Sequence, residues 1–302
     1  MKNSSSKIHI VSSSNMLSLC LASFLAFQPG CGSWSGNPSV DGNNPPTGNA
    51  AIGTVSLAIL GSGTATQLIA SSVKVLGKNG TQIGILRLTQ AQIALEGIKF
   101  KQGKDDAEER ETFSGPYAVD LLSNSTIPSL SKVALSPGKY NDIQLKTHRL
   151  EPNQIPGISS THPLLDNSIY VEGDYIPTVG SSVHLVIKVD VSEEFSLFEE
   201  GSTAGGAKVD SGSNLSILIA FRLNHWFDFS NQRYDFSDLS GSNVTIDSKG
   251  GEIAKSIQEI LKEKIKNSAD FGEDKDSDGK LSPTEDNDDQ NDNEAISPVT
   301  GE

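Results

Sequence analysis

Residues 183–191, Val183-His-Leu-Val-Ile-Lys-Val-Asp-Val191, carry an apolar side chain at every second position. Successive side chains of an extended chain point to opposite faces, so Val183, Leu185, Ile187, Val189 and Val191 share one face, as in a half-buried strand. The same period recurs in 54–60 (TVSLAIL), 73–76 (VKVL) and 83–88 (IGILRL), while 215–223 (LSILIAFRL) is almost wholly apolar. Gly, Asn, Asp and Ser clusters separate these runs. Many short strands without intervening helical periods predict a mostly β fold, an antiparallel β-sandwich over residues 51–247. That span is long for one sandwich, so residues 101–112 and 199–213 are expected to be inserted loops.

The flanks are of another kind. Residues 1–27 open polar, with Lys2 and Lys7, and continue as the apolar run MLSLCLASFLAF at 16–27. A membrane-spanning helix needs about 20 apolar residues, so this shorter run suits the core of a secretory signal. Gln28-Pro29-Gly30-Cys31-Gly32 follows. Glycine before cysteine resembles a bacterial lipobox, in which the thiol takes a diacylglyceryl group and the cysteine becomes the new N-terminus. Residues 1–30 then form the signal peptide and Cys31 the lipidation site. The other cysteine, Cys20, lies in the leader, which leaves none for a disulfide or thiolate chemistry in the body. Residues 31–50 are rich in Gly, Asn, Pro and Ser and read as a disordered, flexible tether. An exported protein held to a membrane by its N-terminal lipid is expected, at the outer membrane or cell surface.

The formal charge of −14 is unevenly placed. From Asp270 to Glu302 twelve acidic residues face only Lys275 and Lys280, a local −10 that leaves −4 for the first 269 residues. No basic run exists to displace phosphate counterions, which excludes nucleic acid as a partner.

Three stretches carry a family resemblance: LTQAQIALEGIKF at 88–100, FSGPYAVDLL at 113–122 and SPGKYNDIQL at 136–145. In this order they resemble an uncharacterised but widespread family of bacterial lipoproteins, and Ser168-Ile-Tyr-Val-Glu-Gly173 and Asn224-His-Trp-Phe-Asp-Phe229 fit the same layout. Leu60-Gly-Ser-Gly63 stands where related domains carry Thr-Asp-Ala-Pro. The resemblance implies a secreted, transthyretin-like β-sandwich without an assigned enzymatic role. Read physically, Pro137-Gly138 is a turn that starts a strand near Tyr140, and Gly115-Pro116 interrupts pairing before Tyr117.

Catalytic signatures are missing from the sequence. His148, His162, His184 and His225 are scattered, with no His-Glu-x-x-His, and there is no Gly-x-Ser-x-Gly. On a strand, His225, Phe227 and Phe229 would share one face and Trp226 and Asp228 the other. Phe227 and Phe229 then enter the core while Trp226 covers a seam; the competing reading makes Trp226 a sugar-stacking platform.

After residue 251 the period changes. Ile253, Ile257, Ile260, Leu261 and Ile265 form one stripe of an amphipathic helix within residues 248–269, supported by Glu259–Lys262 and Glu263–Lys266 spacing. The helix leads into the acidic tail, residues 270–302, read as disordered apart from DKDSDGKLSPTE at 274–285. There carboxylates occupy positions 1, 3 and 5, glycine position 6, an apolar residue position 8 and Glu position 12, the spacing of an EF-hand-type calcium loop. Asp274, Asp276, Asp278 and Glu285 would supply carboxylate oxygens, Lys280 its carbonyl, and Ser282 a water-mediated contact. Ser282-Pro283-Thr284-Glu285 also forms a capping box. An unpaired loop followed by polar residues should be poorly preorganised, giving a calcium Kd of about 10⁻⁴–10⁻³ M. The whole reads as a non-enzymatic envelope lipoprotein with a structural or binding role. The alternatives are a carbohydrate- or peptide-binding surface module and, further off, a hydrolase.

Overall fold

The computed structural model describes residues 52–64, 67–68, 72–102, 110–140, 142–192, 194–198, 207–281 and 285. The leader, Cys31, the tether, Ser282 and the end of the acidic tail lie outside the described residues, as do 103–109 and 199–206 of the two expected insertions.

The described chain opens with strands β1 (Gly53–Thr64), β2 (Gln67–Leu68), β3 (Ser72–Leu76), β4 (Gln82–Lys101), β5 (Arg110–Asp120) and β6 (Ser125–Ile127). Next come β7 (Val133–Leu135), β8 (Gly138–Tyr140), β9 (Asp142–Thr147), β10 (Ile169–Pro177) and β11 (Val183–Val189). β12 (Glu194–Phe198), β13 (Ala207–Val209) and β14 (Asn214–Arg222) lead to a one-turn helix, α1 (Leu223–Trp226). β15 (Asn243–Ile246), helix α2 (Glu252–Lys266) and β16 (Ala269–Glu273) complete the order.

These strands form a nine-stranded sheet, a five-stranded sheet and a ribbon of β8 and β13. The twenty-residue β4 is the spine of the larger sheet and pairs with β3, β5, β9 and β10. Its register against β5 shifts between Leu95 and Gly97, opposite Gly115. A Cβ on Gly115 would stand 2.4 Å from the Glu96 carbonyl oxygen, so the bulge admits only glycine there. The Gly115-Pro116 signal therefore marks a bulge within β5 rather than its beginning. The Pro-Gly turn is closed by Tyr140, whose hydroxyl donates to the Ser136 carbonyl at 2.9 Å.

The five-stranded sheet runs β16-β14-β1-β2, with β7 also on β1. Here the expectation of a wholly antiparallel fold needs correction. β1 and β14 run parallel from Thr54↔Asn214 to Ser62↔Arg222, and β11 and β15 are parallel as well. The fold is mostly β with mixed sheets. Alternation reports which face is buried and not which way a neighbour runs. The unbroken apolar run of β14, though, is the pattern of a strand covered on both faces.

Both large sheets feed one core, including Val55, Ile59, Ile217 and Phe221 from the smaller sheet and Leu86, Ile93, Leu95 and Ile187 from the larger. Helix α2 adds Ile257, Leu261 and Ile265, all buried, with Ile253 and Ile260 packed at the margin. Each such side chain contributes about 1.5–3 kcal/mol on burial. Gln258 Nε2 donates to the Lys188 carbonyl at 2.6 Å, tying the helix to β11. On its exposed side Lys262 Nζ reaches Glu259 Oε1 at 2.7 Å.

Two further readings change. The turn of α1 breaks the alternation expected around Trp226, so Trp226, Phe227 and Phe229 are all fully buried. Trp226 Nε1 donates to Ser268 Oγ at 2.6 Å, and its ring meets Phe221 edge-on. A sugar-stacking platform does not exist at this tryptophan. Second, the segment read as acidic tail from residue 270 begins inside β16, paired to β14.

Trp226→Ala should cost about 3–5 kcal/mol, as large aromatic truncations in a packed site do. Thermal unfolding followed by circular dichroism checks this, and an unshifted melt would show that the ring does not support the core. Trp226→Phe should fall between the two, since it fills part of the volume but loses the indole donor.

Candidate metal centre

β16 brings the sheet's hydrogen-bond ladder to the edge of the acidic loop. It pairs antiparallel with β14 from Phe221↔Ala269 to Ile217↔Glu273. The Asp274 amide then donates to the Ser216 carbonyl at 3.0 Å, so loop position 1 is held by sheet backbone.

Beyond it the chain curls around its own aspartates. The Asp278 amide donates to Asp274 Oδ1 and Asp276 Oδ1, both at 3.1 Å, and the Lys280 amide donates to Asp278 Oδ1 at 2.8 Å. A short side-chain oxygen readily reaches a backbone amide two to four residues on, which favours Asp over the longer Glu at these positions. Gly279, at loop position 6, has φ +71°, the left-handed conformation glycine adopts without strain.

The far end of the loop folds back onto the sheet. Leu281, at position 8, is 3% exposed and packs with Leu60, Leu218 and Ala220. Glu285 is equally buried, and its Oε1 accepts from the amides of Lys275 (2.8 Å) and Asp276 (3.3 Å). The approach requires glycine at 272. A Cβ there would lie 2.0 Å from the Glu285 carbonyl oxygen and 2.4 Å from Leu281 Cδ1.

The result gathers carboxylate oxygens of Asp274, Asp276 and Asp278 within 4.8 Å of one another. Calcium takes oxygens at about 2.3–2.6 Å, so ligands on opposite sides of one ion lie about 5 Å apart, and the group has the size for a hard divalent cation. Four carboxylates against Lys275 and Lys280 leave the loop two negative charges in excess, matching that charge. Lys280 Nζ stands 3.2 Å from Asp278 Oδ2, an exposed ammonium with which a bound cation would compete. Glu285 is not part of that group; its Oε1 is held by the Lys275 and Asp276 amides. Sequence reasoning found the acidic positions and Leu281 but missed Gly272, Leu60, Leu218 and Ala220. No signal in the loop itself points to them.

The other candidates are dispersed. His148 approaches Ser192 at 3.3 Å, and His162 Nδ1 accepts from the Leu164 amide at a short helical turn. Burial lowers the pKa of His162. His184 lies between Glu172 and Asp174 on the larger sheet. Among the described residues no helix is long and apolar enough to cross a membrane.

Fold and loop together define a mostly β domain, with mixed sheets and two short helices, carrying an acidic group that could hold a metal. No family model matches the chain, and no curated protein matches it. A distant structural similarity links it to MbnP from Methylosinus trichosporium, at 12% sequence identity and a TM-score of 0.30, covering 68% of this chain and 86% of that one.

Gly272→Ala should leave β16 formed, since alanine suits an extended chain, yet displace Glu285. Hydrogen exchange should then show the Lys275 and Asp276 amides losing protection while those of Ile217 and Ile219 keep theirs. Protection retained at all four would mean that Glu285 does not close the loop.

Proposed function

We propose that the chain is a lipid-anchored bacterial envelope protein with a non-enzymatic structural or binding role, and that residues 274–285 bind one calcium ion. The observation that carries the calcium reading is the gathering of three aspartates at the end of a hydrogen-bonded strand. Asp274, Asp276 and Asp278 would hold the ion, joined by the Lys280 carbonyl, a carboxylate oxygen of Glu285 and a water at Ser282. Calcium would supply charge neutralisation, relieving repulsion among carboxylates held close together. The lipobox-like Gly30-Cys31 and the tether support anchoring at Cys31. The resemblance to lipoproteins with a transthyretin-like domain, and the core shared by the two large sheets, support a sandwich architecture.

Because the loop is braced by β14, β16 and Leu281, its affinity should lie at the tight end of the extracellular range, Kd about 10⁻⁴ M. At about 1 mM calcium that stabilises the loop by about 1.4 kcal/mol. Calorimetric titration of the wild type beside Glu285→Ala checks this. The variant should bind at least tenfold more weakly, and equal binding, or none by either at millimolar calcium, refutes the site.

Anchoring has a separate test. Cys31→Ala should move the protein from the membrane to the soluble fraction and abolish metabolic labelling with a fatty acid. Label persisting in the variant would place the lipid elsewhere.

A further inference from the structure

The outer surface of β10 and β11 presents a second constellation of metal-ligating groups, unrelated to the acidic loop. The antiparallel register sets Asp174 opposite His184, with Glu172 one pleat away on the same face. The His184 ring lies between the two carboxylates, with Nδ1 3.1 Å from Asp174 Oδ1 and Nε2 3.4 Å from Glu172 Oε1. An ionised carboxylate only accepts, so Nδ1 carries the hydrogen donated to Asp174. In the neutral ring that tautomer leaves Nε2 with its lone pair, 3.4 Å from Glu172 Oε1.

Glu172 is itself fixed. Its Oε2 accepts from the Tyr170 hydroxyl at 2.6 Å and from Gln90 Nε2 at 3.3 Å, which leaves Oε1 as the oxygen facing the imidazole. Partial burial, with the neighbouring Glu172 charge, raises the Tyr170 pKa well above its usual value and keeps that hydroxyl a donor. Asp174 stands in register with Arg87 of β4, whose charge disfavours a second cation on that side.

We infer that His184 Nε2 and Glu172 Oε1 form an open site for a zinc-type divalent ion, with Asp174 orienting the imidazole. Tetrahedral zinc, with nitrogen and carboxylate oxygen at about 2.0–2.2 Å, sets the two donors about 3.4 Å apart. That is the Nε2–Oε1 separation found, and it exceeds the usual range of an N–H···O hydrogen bond, about 2.7–3.2 Å. A carboxylate on the far ring nitrogen is the recurring companion of metal-bound histidine, fixing its tautomer and raising its basicity. Imidazole nitrogen suits zinc and its neighbours, whereas calcium takes oxygen alone, so the two sites should not share a metal. With half-exposed ligands and two protein donors, the remaining positions belong to water, and the ion exchanges readily.

Calorimetric titration of the full chain with zinc chloride tests the site. The wild type should show a zinc-binding step that Asp274→Ala/Asp276→Ala retains and His184→Ala loses. Asp174→Asn, which removes no ligand, should weaken the step by about 10–100-fold. Circular dichroism melts should match across these surface variants. On zinc addition the His184 Nε2 resonance should shift in wild-type nitrogen-15 spectra, a change that a purely structural ion pair does not produce. Uptake unchanged in His184→Ala, a step lost with the loop variant, or no binding by the wild type at millimolar zinc would each overturn the proposal.

Discussion

Leu218 and Ala220 point away from the main core of β14, and an apolar strand in the middle of a sheet has to be covered on that side too. Leaving a leucine-sized side chain in water forgoes about 1.5–3 kcal/mol. The cover comes from downstream in the chain. Leu281 closes over Leu60, Leu218 and Ala220, and the only route by which it can arrive is the β16 ladder followed by the acidic loop. Placement of the loop thus follows from burial of β14 on both faces.

This changes how the loop is held together. Three aspartates with oxygens inside 4.8 Å repel one another, and a free acidic tail would relieve that by opening. Here one end is pinned by the Asp274 amide on Ser216 and the other by Leu281 and by Glu285 on two loop amides. Backbone amides from Asp278 and Lys280 offset part of the negative charge. In paired EF-hands the second loop supplies such bracing. In this protein the β16 strand and Leu281 hold the two ends of the loop instead, so an unpaired loop is less poorly preorganised than the polar residues after it suggest.

Much of this was legible beforehand. The alternation in residues 183–191, 54–60 and 83–88 became strands β11, β1 and the start of β4, and the isoleucine stripe became α2. Those patterns are local and depend only on which side of an element meets the core. What escaped was long-range. The parallel pairing of β1 with β14 joins residues 160 positions apart, and nothing in either run states direction. α1 overrode a strand reading because three aromatic residues in four positions were buried together, which alternation forbids. In the site, the carboxylate spacing was readable because the ligands are consecutive. The residues that seat the loop belong to β1, β14 and β16. Gly272 in particular looks like a weak strand position until the Glu285 carbonyl occupies the space its side chain would need.

The outer faces of the two sheets show how coverage decides the chemistry on offer. Where Leu281 lies over β14 and β1, the residues it packs on are Ala58, Leu60, Leu218 and Ala220, which offer packing and no side-chain ligand atoms. Along β10 and β11 the outward positions are Tyr170, Glu172, Asp174, His184 and Lys188, each partly or fully exposed; hydrogen bonds link Tyr170 to Glu172 and His184 to Asp174, and Tyr170 also packs against the Leu150–Leu164 cluster. A rigid strand pair spaces these groups by the pleat, so their mutual distances are set by the backbone and not by chance meeting of long side chains. Among the described residues, nitrogen and oxygen donors stand at metal-binding separation on that face, where Glu172, Asp174 and His184 stay partly or fully exposed. The acidic loop, by contrast, owes its geometry to covering the other.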